Sequence, residues 1–163
     1  MSEIKFLCFD KVIPEDLIAV VNEDSLRKHL IDHPYFDTTS IRSWMEDKIK
    51  TDTIKGCRIR AVIINGVLAG WCGIQPDNNR FELAIVISKR FWGFGIPIFK
   101  TLMNWAEELG HKEVLFHLLD SRPEYKFLKD IATNVHKTKL LGRCFTTYHL
   151  AVKSCAQSQT KDI

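Results

Sequence analysis

The stretch CRIRAVIINGVLAGWCGI, residues 57–74, constrains the fold more than any other part of the chain. Two runs rich in β-branched residues flank Asn65-Gly66, the pair that most readily supplies the positive φ angles of a two-residue hairpin turn. A third run, RFELAIVIS (80–88), follows the turn sequence QPDNN. Three successive strands joined by short turns make an antiparallel set, which excludes a simple βαβ alternation.

The flanks supply helices and further strands. IKFLCF (4–9) reads as a first strand. PEDLIAVVNEDSLRKHL (14–30) reads as a helix with Pro14 in its first turn and Leu17, Val20 and Val21 on one face. IDHPYFDTT is a loop, and SIRSWMEDKIKTD (40–52) a second helix, with Ser40 as N-cap and Ile41, Trp44, Met45 and Ile49 as its apolar stripe. A third helix runs to Leu109 and stops at Gly110. Next come a strand, KEVLFHLL (112–119), and a helix, SRPEYKFLKDIA (121–132), capped by Ser121 with Pro123 in its first turn. VHKTKLLGRCFTTYHLAV (135–152) closes the fold either as one long strand or as a hairpin near Gly142. The expected architecture is α+β, a mixed and mostly antiparallel sheet flanked by about four helices. It occupies one domain over residues 1–153, with a polar tail at 154–163.

Composition narrows the function classes. At 163 residues and 45% hydrophobic, the chain can bury a sizeable core. A net charge of +3, spread along the chain, makes no case for nucleic acid, although it suits an acidic ligand. No apolar run reaches the roughly 18 residues of a membrane span, and MSEIKFLCFD does not have the pattern of a secretory signal. The five cysteines are scattered without C-x-x-C spacing, as expected for reduced thiols in a cytoplasmic protein and not for a disulfide framework or a zinc site.

The chemistry concentrates in ISKRFWGFGIPIFKTLMNWAEELG (87–110). A strand that leads straight into a helix leaves unpaired N–H groups at the helix's first turn, and these carry partial positive charge. A phosphate can accept from them where no side chain blocks its approach, and Gly93 and Gly95 give that clearance. Pro97 has no N–H to lose, and Phe99, Leu102, Met103, Ala106 and Leu109 seat the helix on the sheet. The plain alternative is that both glycines only make a tight turn. A dinucleotide fingerprint is excluded because Ile98 stands where a third small residue belongs, and no G-x-x-x-x-G-K-[ST] run exists.

ELAIVISKRFWGFG resembles motif A of the GCN5-related N-acetyltransferases (GNAT), whose signature is Q/R-x-x-G-x-G/A. Arg90, Gly93 and Gly95 satisfy it. Phe91-Trp92-Gly93-Phe94-Gly95 is similar to the branch that includes ribosomal-protein N-terminal acetyltransferases. The likeness in element order spans residues 4–152, and the likeness in sequence spans 82–119. The resemblance implies acetyl-CoA as cosubstrate, no metal, and a primary amine acceptor on a small molecule or peptide. It implies no membrane partner, and it allows a homodimer. It also implies two strands that splay apart, with the backbone of Ile85, Val86 and Ile87 pairing with pantetheine amides. Backbone N–H groups of Phe91, Trp92, Gly93, Phe94, Gly95 and Ile96 would hold the CoA pyrophosphate, with Arg90 adding charge. Ser121 stands where the family places an Asn that contacts CoA, although a plain helix N-cap is the better reading of it.

A base helps an ammonium lose its proton before it attacks a thioester. Glu82 stands where many family members carry a glutamate in that role, and His117 is a second candidate. The family often supplies a tyrosine to protonate the thiolate, but here Leu128 takes that place. Tyr125, about one helical turn earlier, is the substitute, with Tyr148 as another. Cys72 and Cys144 have no spacing that suggests an activated nucleophile. Tyr35 and Phe36 fall where the family builds its acceptor pocket. Two other readings predict different outcomes. A non-catalytic acyl-CoA-binding module would bind without transfer. An interaction protein on the same fold would have a blocked gap at Ile85 and Leu115. A longer acyl group would change only the depth of the acyl pocket.

Overall fold

The computed structural model describes residues 2–28, 34–122, 125–140 and 142–153. The tail at 154–163, Cys155, His33 and Pro123 lie outside the described residues. Among the described residues, seven strands form one sheet in the order β1-β2-β3-β4-β5-β7-β6. They are β1 (Ile4–Leu7), β2 (Arg58–Ile64), β3 (Val67–Asp77), β4 (Arg80–Ile87), β5 (Glu113–Leu119), β6 (Asn134–Leu140) and β7 (Arg143–Ala151). The helices are α1 (Pro14–Val21), α2 (Asp24–Arg27), α3 (Thr38–Asp52), α4 (Gly95–Glu108) and α5 (Lys126–Ile131).

The Asn65-Gly66 turn forms as read, with φ of 51° and 81°. β3 runs on through Pro76 and Asp77, and the chain reverses at Asn78, φ 54°. Alternation along these strands sends Trp71, Ala84 and Val86 toward α1 and α3, and Cys72, Ile74, Leu83 and Ile87 toward α4. On the first side Phe9, Phe36, Trp44 and Trp71 pack ring against ring, with Trp44 and Trp71 centred 5.5 Å apart. On the second side α4 buries Ile98, Phe99, Leu102 and Ala106. β3 and β4 approach closely at Gly70, φ 154°, where any side chain would collide with the Val86 carbonyl.

Several boundaries differ from those read in the sequence. The first strand ends at Leu7, and Phe9 enters a short 3₁₀ turn. The helix expected over 14–30 breaks at Asn22, whose side chain donates to the Phe36 carbonyl and accepts from the Phe36 N–H, both at 2.9 Å. An asparagine that binds backbone elsewhere competes with helix continuation, and here it ties the acceptor-side loop to α1. Ser40 is not the N-cap of α3. Asp37 is, and Ser40 sits at the third helical position of a capping box with it. Ile49 is 39% exposed and lies outside the core. α5 begins only at Lys126 with Tyr125 before it, so Ser121 does not cap it. The C-terminal segment is a hairpin, turning at Gly142, φ 75°.

The Asp37 cap makes a first expectation. Asp37→Ala lowers the urea midpoint at neutral pH without changing the slope of the transition. Bonds from Ser40 hold the Asp37 carboxyl below its ordinary range. That contribution is present above the unfolded value and is lost as pH falls through the folded one. The gap between variant and wild type therefore narrows on acidification.

The feature that positions a site is the junction of β4 and β5, the parallel pair. Only Glu82↔Leu115 and Leu83↔Phe116 are in register. β4 then continues to Ile87 held by β3, while β5 is held along its whole length by β7. Each strand is committed to its antiparallel neighbour, so the two diverge and leave a V in the sheet.

Candidate active site in the V of the sheet

On the α4 side, the V opens into a cleft of about 260 Å³ lined by Ile85, Ile87, Gly93, Gly95, Phe116 and Tyr125, among others. Neither Gly93 nor Gly95 has a positive φ, and Gly95 is helical at φ −58°, ψ −41°. A Cβ added to either would meet no atom within 4 Å. Conformation and packing therefore do not require glycine at these positions. In a helix glycine costs about 1 kcal/mol relative to alanine. The space that both leave clear lies outside the chain, at the mouth of α4.

The donor set there is smaller than the sequence implies. The Phe91 N–H donates to the Ser88 carbonyl at 2.9 Å, and the Gly95 N–H donates to that of Trp92. Ile96 lies in the first turn of α4, where N–H groups have no intrahelical acceptor. The Trp92 indole folds back, its Nε1–H donating to the Ile87 carbonyl at 3.1 Å. Arg90 is exposed and stacks over the Phe91 ring at 4.6 Å. Ser121 is exposed, with Oγ donating to the Lys28 carbonyl at 3.2 Å. Tyr125 is in the cleft, and its hydroxyl accepts from Arg122 Nη2 at 3.2 Å. Arg122 also stands 5.6 Å from the Trp92 ring, bringing a positive charge to the V that the sequence reading missed.

On the α3 side, a second cleft of about 380 Å³ is walled by Phe36, Trp44, Trp71, Glu82, His117 and Phe145, among others. Ile85, Val86, Phe116, Leu118 and Arg122 line both clefts, so the two meet through the V. Of the expected acceptor-loop pair, Phe36 lines this cleft. Tyr35 is 61% exposed, beneath the Arg27 guanidinium at 3.9 Å and bonded to Asp24 at 2.7 Å.

Glu82 anchors a polar chain in this cleft. Its Oε1 accepts from Gln75 Nε2 at 2.8 Å, and Gln75 Oε1 accepts from Lys48 Nζ at 2.6 Å. Its Oε2 stands 3.5 Å from His117 Nε2, which lies 2.7 Å from Asp77 Oδ2. Burial pushes the Glu82 carboxyl above its ordinary range, against the opposing influence of Gln75, His117 and Lys48. Burial also pushes Lys48 below the usual lysine range, and its ammonium lies 4.6 Å from the Trp71 ring. A raised carboxylate beside a histidine is a proton acceptor. Ligand atoms of Asp77, Glu82 and His117 lie within 4.8 Å of one another, close enough to share a metal ion. A hydrogen bond from His117 to Asp77 accounts for that proximity without one.

The remaining candidates fall elsewhere. Tyr148 is 2% exposed and packs in the α4-side core. Cys72 is fully buried, with burial raising its thiol, and Cys144 is exposed. Sequence reasoning missed Lys48, Gln75 and Asp77. Gln75 and Asp77 lay hidden in a stretch read as a turn. Their one signal was even spacing with Cys57–Ile74 continued, which places 71, 73, 75 and 77 on one face. Among the described residues, no helix is long and apolar enough to cross a membrane.

Compared by sequence, the chain matches no family profile and no curated protein. Compared by structure, it is similar to many solved chains. One is an N-acetyltransferase from Staphylococcus aureus Mu50, with a TM-score of 0.68 at 16% identity, covering 94% of this chain and 99% of that one. Another is an acetyltransferase of the GNAT family from Streptococcus pneumoniae, with a TM-score of 0.62 at 15% identity, covering 93% and 100%. At such identities the likeness is one of fold, and the fold is that of the GCN5-related N-acetyltransferases.

Proposed function

We propose that the chain is an acetyl-CoA-dependent N-acetyltransferase acting on a primary amine. The observation that carries this reading is the pair Gly93 and Gly95, kept free of side chains where neither conformation nor packing asks for glycine, at the mouth of an open V. Acetyl-CoA enters as a substrate. Its pyrophosphate lies against the start of α4, and its pantetheine arm runs in the V beside the backbone of Ile85, Val86 and Ile87. The thioester then faces the second cleft, where the amine waits.

Glu82 accepts a proton from the ammonium, the amine nitrogen bonds to the carbonyl carbon, and the C–S bond breaks. The thiolate takes a proton from Tyr125, whose hydroxyl oxygen is held by Arg122, and the second proton lost from the amine nitrogen restores Tyr125. Most of the acceleration comes from holding amine and thioester in contact. The aromatic wall of Phe36, Trp44 and Trp71 favours an amine with an apolar body, on a small molecule or a peptide end.

Calorimetric titration with acetyl-CoA followed by a thiol-release assay over a panel of amines tests the reading. The expected result is micromolar binding and release of CoA with at least one amine. Binding without release from any amine supports the alternative, a non-catalytic acyl-CoA module. Absence of binding overturns both. The V lies open beside Ile85, which disfavours an interaction protein with a blocked gap.

A further inference from the structure

The polar chain at Glu82 does not end at His117. Thr147 stands opposite His117 on β7, and His136 stands opposite Thr147 on β6. Directly paired residues project from the same face of a sheet, as do residues two apart on a strand. His117, Thr147, His136, Thr138 and His149 therefore share one face. His117 Nδ1 lies 2.7 Å from Thr147 Oγ1, and Thr147 Oγ1 lies 2.8 Å from Thr138 Oγ1. Thr138 Oγ1 lies 3.2 Å from His136 Nδ1, and His136 Nε2 lies 2.8 Å from His149 Nε2. His149 Nδ1 meets both Glu113 Oε1, at 3.2 Å, and Arg80 Nη1, at 3.3 Å. Thr147 is 1% exposed and Thr138 is half-buried, whereas His136, Glu113 and Arg80 are exposed. The chain thus begins in the cleft, passes a buried hydroxyl and reaches solvent on the same face of the sheet, at the edge strand β6 and the start of β5.

We infer that this chain carries the proton taken from the acceptor amine out of the cleft, from Glu82 through His117, Thr147 and Thr138 to the histidine pair at the surface. The inference rests on the acetyltransferase reading for the proton's source. Every member can both donate and accept, which a relay requires and a purely structural network does not. Two polarities satisfy the links from His117 Nδ1 outward; at Nε2, 2.7 Å from Asp77 and 3.5 Å from Glu82, the outward one needs the proton on the carboxyl side. In the outward polarity His117 Nδ1–H donates to Thr147, Thr147 to Thr138, Thr138 to His136 Nδ1, His136 Nε2–H to His149, and His149 Nδ1–H to Glu113. A proton passed from Glu82 to His117 Nε2 shifts each hydrogen one place along, and one proton leaves at Glu113. The chain is then reversed. His117 Nε2–H donates to Asp77, and His149 Nδ1 accepts from Arg80. Glu113 and Arg80 at the outer end match the two polarities, as protonated Glu82 and ionised Asp77 do at the inner end. Lys48 touches the chain only through Gln75. Lys137 turns to Asp120 and Thr146.

Thr147→Val keeps the shape of the side chain and removes the link, and Thr147→Ser keeps the link. In weakly buffered solution Thr147→Val lowers kcat about tenfold or more with both KM values unchanged, and added imidazole buffer restores part of the loss. Thr147→Ser behaves as wild type. An unchanged kcat in Thr147→Val overturns the relay, as does an equal loss in both variants. A second measurement needs no activity. In wild type, ¹⁵N spectra of the histidine rings show the His117 tautomer following protonation of the His136–His149 pair, and in Thr147→Val it does not. Should no amine be acetylated while this coupling is observed, the acetyltransferase reading fails and the proton path stands. Should amines be acetylated while His117 ignores the surface pair in wild type, the path fails and the activity stands.

Discussion

Gly93→Glu abolishes acetyl-CoA binding and leaves the fold intact. A side chain at Gly93 meets no protein atom within 4 Å, and the backbone there is not in the left-handed region, so the variant keeps the wild-type unfolding temperature. The same open space is where a pyrophosphate would lie, and a carboxylate placed in it opposes the ligand by both volume and charge. A loss of at least about 100-fold in affinity, ~2.7 kcal/mol, is expected from calorimetric titration. Gly93→Ala separates the two effects, because it adds volume without charge and removes a glycine from the approach to α4. It is expected to be no less stable than wild type and yet to bind more weakly. Wild-type affinity in a folded Gly93→Glu would place the pyrophosphate elsewhere and remove the main support for the acetyltransferase reading.

The glycines were legible as a candidate anion site because their spacing and the helix after them are local. Their alternative, a tight turn that needs glycine, could be set aside only with backbone angles and neighbours in hand. The hairpin at Asn65-Gly66 was legible because a two-residue turn is decided by those two residues. The C-terminal hairpin is not legible in the sequence because nothing near Gly142 separates a turn from a kinked strand. The pattern over 14–30 reads as one helix because its break at Asn22 depends on the Phe36 backbone, a partner no local pattern names. Glu82 and His117 are each legible as a candidate singly. That they meet follows from β4 and β5 running side by side in register near Leu115, and adjacency of strands distant in sequence carries no local signature. Gln75, Asp77 and Lys48 escaped for the same reason, as did Arg122. In each case the side chain's role is set by what folds against it.

Glu82→Gln separates the chemistry of the cleft from its stability, and the two move in opposite directions. Without the carboxylate the amine loses its proton acceptor, and kcat is expected to fall about 10²–10³-fold with acetyl-CoA affinity unchanged. In wild type, kcat/KM falls on acidification as Glu82 takes up a proton, at a pH above the ordinary carboxylate value of 4.5 because burial raises it. In the variant that limb disappears. The same shift sets the stability. A carboxyl whose folded pKa lies above its unfolded one contributes stability that is full below the unfolded value and is lost as pH rises through the folded value. Glutamine has no such loss. Thermal unfolding is therefore expected to show Glu82→Gln gaining on wild type as pH rises through the folded value, with a greater advantage near pH 8 than near pH 4. A variant that loses activity and is also destabilised at the higher pH would show Glu82 to be held by favourable contacts with Gln75 and His117, a structural carboxylate. A variant that gains stability while losing turnover is what a base kept in a costly place predicts.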